Sequence, residues 1–340
     1  MARIFLTGAT GLIGGDLLFA LSKAHPEYHV SALVRDATKG QKLVQEYPNA
    51  RPVIGDLDSA DVLRSEAAQA DVTIQVAVSS HINAAKAIAQ GIQSREKPGY
   101  FIQISGASAL AAAEIKSKIF GEATEEVYDD FEGVDKVLNV IQGNPNRVVD
   151  NFVLGLNKTI SNARTALIFG PIIYGQGRGP FNQRSIQVPE TARVTLQQGY
   201  GFQINKGLNR WHTVNVRDLS NLFVLLIENA LAGQPDEKIW NQGGIYFPGN
   251  GEIAFGEISR RVAQSAHEQG FIKTVDVESV DPAKADSLVG HASIVLGTNA
   301  RAESLRANEL LGWKPVERSL VEDIPETVKS EAERLGTAKL

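Results

Sequence analysis

Glycines at positions 8, 11 and 14 follow the apolar run Ile4-Phe5-Leu6-Thr7. They precede a helical pattern through Leu12, Leu17, Leu18, Ala20 and Leu21. A strand that ends in glycines and opens a helix suits a dinucleotide phosphate. The first glycine permits a tight turn and the second lets the backbone approach the pyrophosphate. The third lets helix and strand pack closely, and the helix N-terminus offers free N–H groups to the anion. Thr7, Gly8, Thr10, Gly11, Leu12, Ile13 and Gly14 are the expected cofactor loop.

Further along, a residue reading the adenosine ribose is expected about 20 positions past the glycines. Here Arg35 arrives first, then Asp36. A guanidinium pairs with a 2′-phosphate through charge-assisted hydrogen bonds, which predicts NADP over NAD. The other reading leaves Arg35 in solvent and gives the ribose hydroxyl to Asp36. Asp56 and Leu57 follow the third expected strand, beside the adenine pocket. Asp56 is placed to accept from the adenine amino group or to cap the next helix. Ala77, Val78 and Ser79 close the fourth strand where the cofactor ribose approaches the backbone. His81 follows, facing the crevice as a ligand contact or a helix cap.

The elements that must position these residues alternate. Strands are expected at 3–7, 29–34, 51–54, 72–77 and 100–104, and helices at 12–24, 39–47, 59–70 and 82–95. Repeated βαβ units predict an α/β fold, a Rossmann-type doubly wound parallel sheet with ligand beyond the C-terminal strand ends. The 340 residues accommodate such a domain plus a smaller lobe.

Bulk properties exclude several classes. A net charge of −5 argues against a nucleic-acid or anionic-membrane binder. Absence of cysteine removes disulfides and thiolate chemistry. No apolar run approaches the ~18 residues of a membrane span. The N-terminus enters the first strand directly, which predicts a cytoplasmic protein without a signal peptide.

The loop, Arg35 and Asp56-Leu57 together resemble the extended short-chain dehydrogenase/reductase superfamily, in particular its fungal-type epimerase/dehydratase-like NAD(P)-binding branch. The resemblance covers essentially the whole chain. It implies an NADP(H)-binding domain over residues 1–175, completed by about 213–245. The smaller C-terminal substrate lobe would comprise 176–212 and 246–340. It also implies a homodimer through two long helices. Ser105, at the end of Phe101-Ile102-Gln103-Ile104-Ser105, matches the serine that binds the substrate carbonyl or hydroxyl, with Ser108 as a second candidate. Ile104 would lie along the cofactor, and Pro171, Ile172 and Ile173 on the nicotinamide.

One departure stands out. The family places a tyrosine, and a lysine four residues later, on the helix after this strand. Tyrosine carries the proton and lysine lowers its pKa. No Tyr-x-x-x-Lys occurs here. The expected helix 145–160 offers Asn146 and Asp150 instead, which do not perform that task in the usual way. Tyr128, Tyr174 and His81 are the candidate proton donors, and Tyr174 alternatively anchors its loop.

The acidic stretch 108–144 has no regular ligand spacing, so no metal site is predicted and a solvated cover over the site is expected. Tyr200, Phe202 and Trp211 line a pocket or fill a small core. Asp218 is expected to cap a helix running to Ala232, a strand is expected at 238–243, and helices at 183–198, 252–270 and 320–335. Arg301 is a candidate substrate-binding base.

Three readings follow. The first is an NADPH-dependent reductase of a small apolar carbonyl, imine or alkene with an atypical proton donor. The second is a non-redox isomerase, cyclase or dehydratase on the same scaffold, and the third a nucleotide-sensing binding protein.

Overall fold

A computed structural model describes residues 1–233 and 236–339. Its centre is a seven-stranded parallel sheet. The first half supplies β1 (Arg3–Thr7), α1 (Leu12–Ala24), β2 (His29–Val34), α2 (Ala37–Glu46), β3 (Ala50–Ile54), α3 (Ala60–Gln69), β4 (Val72–Gln75), α4 (Ile82–Gln93) and β5 (Gly99–Gly106). After α5 (Ala112–Ser117), the two-residue β6 (Tyr128–Asp129), α6 (Val134–Gln142) and α7 (Val148–Thr159) comes β7 (Ala163–Gly170). The later chain forms β8 (Ile172–Tyr174), α8 (Gln187–Gln198), β9 (Gly201–Ile204), β10 (Arg210–Asn215), α9 (Val216–Leu231), β11 (Ile245–Tyr246), β12 (Glu252–Ala254) and α10 (Phe255–Glu268). It ends with β13 (Val277–Val280), α11 (Pro282–Leu288), α12 (Ala292–Val295), β14 (Ala302–Glu303), α13 (Arg306–Leu311) and α14 (Leu320–Leu335).

The sheet order is β11-β7-β5-β4-β1-β2-β3, and every pairing within it is parallel. Parallel strands need crossovers, and these place helices on both faces. On one face Ile4, Leu6, Ile74, Ile102 and Ile168 pack with residues of α1 and α9. On the other, Phe5, Phe101, Leu167 and Phe169 pack with α3, α4 and α7. The doubly wound Rossmann-type architecture is as expected. A third cluster joins α8, β9, α10 and α14 around Phe202, Trp211 and Val262. Phe202 and Trp211 therefore fill core. Among the described residues no helix is long and apolar enough to cross a membrane, and no group of three or more acidic or histidine side chains could hold a metal ion.

Several expected elements differ. The strand expected at 238–243 is absent. Residues Asn241–Gly243 form a 3₁₀ turn and pairing begins at Ile245. Buried Ile239 and Trp240 supplied the apolar signal. Asn241 adopts a left-handed φ of 63°, and a Cβ at Gly243 would lie 2.1 Å from the Glu237 carbonyl, so the chain turns there instead of extending. The helix expected from 252 starts at Phe255, because Glu252–Ala254 pairs with β10. The helix expected from 183 starts at Gln187, and the one from 145 at Val148.

The acidic stretch 108–144 is not a solvated cover throughout. Asp130 is fully buried and accepts from the backbone N–H groups of Phe247, Leu305 and Arg306. It thereby fastens this stretch to the end of β11 and the start of α13. Burial, opposed by those donors, pushes its carboxyl up to about 6.

Candidate active site

The glycine loop is built by close backbone approach. Gly8 has φ 83°, and a Cβ there would lie 2.7 Å from the Ala77 nitrogen. A Cβ on Gly14 would lie 2.2 Å from the Gly8 carbonyl oxygen, so this glycine is what lets α1 meet β1. Gly11 differs: its Cβ would meet only the Gly8 oxygen, at 3.3 Å. Gly11 also N-caps α1 in extended conformation without a capping side chain, which leaves the first N–H groups of α1 available to an anion. A cradle open at Gly11 and closed at Gly8 and Gly14 fits a dinucleotide pyrophosphate.

Leu12 and Ile13 are half-buried on this rim, with Ala77 and Val78 exposed beside them and Ser79 half-exposed. Thr10 lends its carbonyl to the Asn182 N–H at 3.3 Å, so the loop after β8 borders the cradle. Thr7 does not face it. That side chain is wholly buried and its hydroxyl donates to Gln75 Oε1 inside the sheet, because β1 runs one residue too deep to expose it.

Around the adenosine end, Arg35 is exposed. Asp36 is committed to α2: it is the N-cap and accepts from the Lys39 N–H at 2.8 Å. Asp56 is exposed, and its Oδ1 accepts from the Asp58 N–H and the Ser59 hydroxyl, which holds its carboxyl below the usual range. The N-cap of α3 is Ser59, so Asp56 does not cap that helix, and its two local bonds occupy one oxygen. Leu57 packs on the α3–α4 cluster.

At the nicotinamide end, β5 and β7 run in register with Ser105 opposite Phe169 and Gly106 opposite Gly170. Pro171 is buried, and Ile173 is half-buried against Gly170, on the same face as Ile104. Ile172 points away, into the third cluster, since successive residues of β8 face opposite sides.

Ser105 is buried and donates to Asp150 Oδ2 at 3.0 Å. Asp150 lies in the first turn of α7, 3% exposed, with Arg147 Nη1 3.6 Å from Oδ2. Arg147 in turn donates to Ser108 Oγ at 3.0 Å. Burial pushes the Asp150 carboxyl up, while Arg147 and Ser105 oppose the shift. Asn146, the other residue aligned with the family's pair, is exposed. Sequence reading missed Arg147. Its i, i+3 spacing from Asp150 at a helix start was the available signal.

Two of the three candidate proton donors, Tyr174 and His81, are otherwise occupied. Tyr174 is buried, donates to the Arg318 carbonyl at 2.7 Å and accepts from Asn250, and burial pushes its phenol up to about 12. It anchors its loop. His81 N-caps α4 by accepting from the Ala84 N–H, with Nε2 3.2 Å from Asp58. Tyr128 is half-buried in β6 beneath Lys136, its phenol pushed up by burial. Arg301 pairs with Glu252 and donates to the Thr124 carbonyl. Asp218 sits in the first turn of α9 and accepts from the Val316 and Glu317 N–H groups, while Asn215 caps that helix.

Elsewhere a polar cavity of about 720 Å³ opens between the loop after β8, α8 and α14, lined by Arg184, Arg217, Arg318, Asp323 and Glu331. Each of these arginines is paired with an acid, and none of the loop glycines nor Ser105 reaches the cavity.

Comparison with known proteins places this geometry. Residues 1–96 match the model of the NmrA-like family. The oxidase ucsJ of an Acremonium species is 39% identical, covering 98% of this chain and 99% of that protein. Among solved structures, dTDP-glucose 4,6-dehydratase from Bacillus anthracis, in complex with NAD, superposes with a TM-score of 0.69 at 14% identity, covering 98% of this chain and 97% of that one. UDP-glucuronic acid 4-epimerase from Bacillus cereus, in complex with UDP-glucuronic acid and NAD, gives 0.65 at 16%, covering 98% and 99%. The chain belongs to the same family as the fungal oxidase, and it shares its fold with the two solved structures.

Proposed function

We propose that this protein is an NADP(H)-dependent oxidoreductase of the extended short-chain dehydrogenase/reductase superfamily that reduces a small, apolar carbonyl, imine or alkene in the cytoplasm. The observation that carries the reading is the cradle at Gly8, Gly11 and Gly14, on the same parallel-sheet edge as Ser105. The NAD held by the two solved neighbours and the name of the Acremonium relative support it. NADP is favoured over NAD because Asp36 is spent on a helix cap while Arg35 stands free in solvent.

The N–H groups opening α1 hold the pyrophosphate, Arg35 the 2′-phosphate, and Pro171 and Ile173 the nicotinamide ring. When bound, the nicotinamide supplies or accepts a hydride. Ser105 orients the substrate oxygen. Titration with NADPH and NADH, followed by nucleotide fluorescence, tests the reading. Micromolar NADPH binding with weaker NADH binding is expected, and binding of neither refutes it.

One observation favours a second reading. The phenol of Tyr174 is tied to the Arg318 carbonyl and Asn250, so a non-redox isomerase, cyclase or dehydratase on this scaffold fits as well. Turnover indifferent to whether reduced or oxidised nucleotide is supplied would decide for it.

A further inference from the structure

The family's tyrosine and lysine are absent, yet their place is not empty. A chain of side chains meets there, running from half-buried Ser108 just after β5, through half-buried Arg147 at the N-cap of α7, to buried Asp150 and Ser105. Ser105 terminates the strand whose end faces the cofactor edge. Asp150 shares the Ser105 proton at 3.0 Å and is almost wholly enclosed. Asp150 is buried on α7 together with Val149 and Val153. Arg147 is the charged group set against Asp150, and Ser105 its hydrogen-bond donor.

A buried carboxylate beside one arginine can be a structural ion pair, but two details argue otherwise. Arg147 stands 3.6 Å from Oδ2, outside hydrogen-bond range, and gives its donor to Ser108 instead. The carboxylate's hydrogen bond comes from the Ser105 hydroxyl, the group to which the proposed function gives the substrate oxygen.

The geometry points to Ser105 and Asp150 as a two-member proton relay that replaces the tyrosine–lysine pair, with Arg147 as the residue that tunes it. The inference rests on the oxidoreductase reading above. In reduction, the Ser105 Oγ–H bond breaks as the proton goes to the substrate oxygen. Ser105 Oγ takes the proton of a neutral Asp150 carboxyl, leaving Asp150 as carboxylate. In oxidation the same two bonds run in reverse and Asp150 ends protonated. The electron pair travels as hydride between substrate and the nicotinamide dinucleotide named above, so protons and electrons balance. Ser105 is the catalytic residue. Asp150 acts through it, and partial burial of Arg147 keeps the carboxyl within reach of both protonation states.

The relay needs an Asp150 that titrates and answers to Ser105; Asp130, which also titrates in this range, is told apart because its band stays when Asp150 or Ser105 is replaced. Infrared spectra of the whole protein without nucleotide, between pH 4 and 9, test this for wild type, Asp150→Asn, Ser105→Ala and Arg147→Met. We expect a carboxylic C=O band that Asp150→Asn removes. Its midpoint should rise by about one pH unit in Ser105→Ala and in Arg147→Met, since each removes a group that favours the carboxylate. An unshifted midpoint in Ser105→Ala, or no band assignable to Asp150 across the range, overturns the relay. Should Asp150→Asn fail to fold, the shifts in the other two variants still decide. Nucleotide titration of the same samples separates the two claims. Loss of nucleotide binding in wild type defeats the oxidoreductase reading whatever the spectra show. Intact binding with an untitrating Asp150 defeats the relay alone.

Discussion

The two ends of the sheet edge solve different problems by different means. At β1 and α1 the site is backbone: three glycines, one left-handed turn and a helix start without a side-chain cap. At β5, β7 and β11, and on β10 of the separate three-stranded sheet, it is buried side chains: Ser105 on Asp150, Asp130 on three N–H groups, and His212 enclosed beside Phe247. A backbone site tolerates added atoms only where the backbone leaves room, as at Gly11, but ignores pH. A site of buried titratable groups tolerates modest changes in shape but answers to pH. On the proposed function, the first end is the binding device and the second the place where protons are managed.

The largest expected effect tests the backbone end. Gly14→Val puts carbon within 2.2 Å of the Gly8 oxygen, in rigid backbone on both sides. Unfolding measurements should show a loss of about 3 kcal/mol or more, with nucleotide affinity down at least ~100-fold. Gly11→Ala is the sharper partner. It meets only one atom, at 3.3 Å, so stability should stay within about 1 kcal/mol while nucleotide affinity falls at least ~10-fold. Equal effects of the two substitutions would mean that Gly11 has no ligand to admit.

The second prediction concerns pH. His212 is wholly buried, its Nδ1 on the Ala300 carbonyl and its Nε2 without a partner. Desolvation pushes the imidazole down to about 4. A depressed folded-state value means that its contribution is complete above the unfolded value near 6.5 and is lost as pH falls towards 4. The loss amounts to about 3 kcal/mol. Denaturant unfolding of wild type and His212→Leu should therefore differ by about 3 kcal/mol less at pH 4 than at pH 7. Asp130 titrates in the opposite sense, favouring the fold as pH drops through about 6, and cancels because both proteins carry it. A constant difference across that range would remove His212 from the list of pH-sensitive groups.

Legibility in the sequence followed the same divide. The glycine loop could be read because strand, turn and helix start are contiguous and each glycine has a local reason. The doubly wound parallel sheet followed from the βα alternation, while its strand order and the place of its last strand at Ile245–Tyr246 did not. Ser105 was found by its position at a strand end. Asp150 was located on the right helix, but its partner lies 45 residues away on β5, and no local pattern states that a carboxylate will face a hydroxyl. Asp130 is one acid in a run of acids, and what separates it from exposed Glu125 and Glu126 is three backbone N–H groups from distant segments. Tyr174 and His81 carried chemistry by type, and only the folded chain shows both engaged in anchoring and capping.

A third test returns to the binding end and asks whether it contains any side chain that matters. Arg35→Ala should weaken NADPH by about 1–3 kcal/mol, the size of a charge-assisted contact, and leave NADH within twofold. Equal weakening of both nucleotides would place Arg35 elsewhere than on the 2′-phosphate.

The smallest expected effect probes the border between the two ends. Tyr174 lies in β8, which leads from the nicotinamide face to the loop bordering Thr10. Its hydroxyl links the Arg318 carbonyl to Asn250, and burial holds the phenol neutral. Tyr174→Phe leaves both partners without it, at a cost of about 1–2 kcal/mol, read as a fall of a few degrees in melting temperature. Nucleotide affinity should stay within twofold, because neither partner belongs to the glycine cradle. The Asp150 carboxyl band should also keep its midpoint, since no hydrogen bond joins Tyr174 to the Ser105 chain. A proton donor would behave differently: stability would barely change, and the pH response of the site would. A shifted Asp150 midpoint in this variant would therefore return Tyr174 to the chemistry and erase the boundary between anchoring loop and proton-handling site.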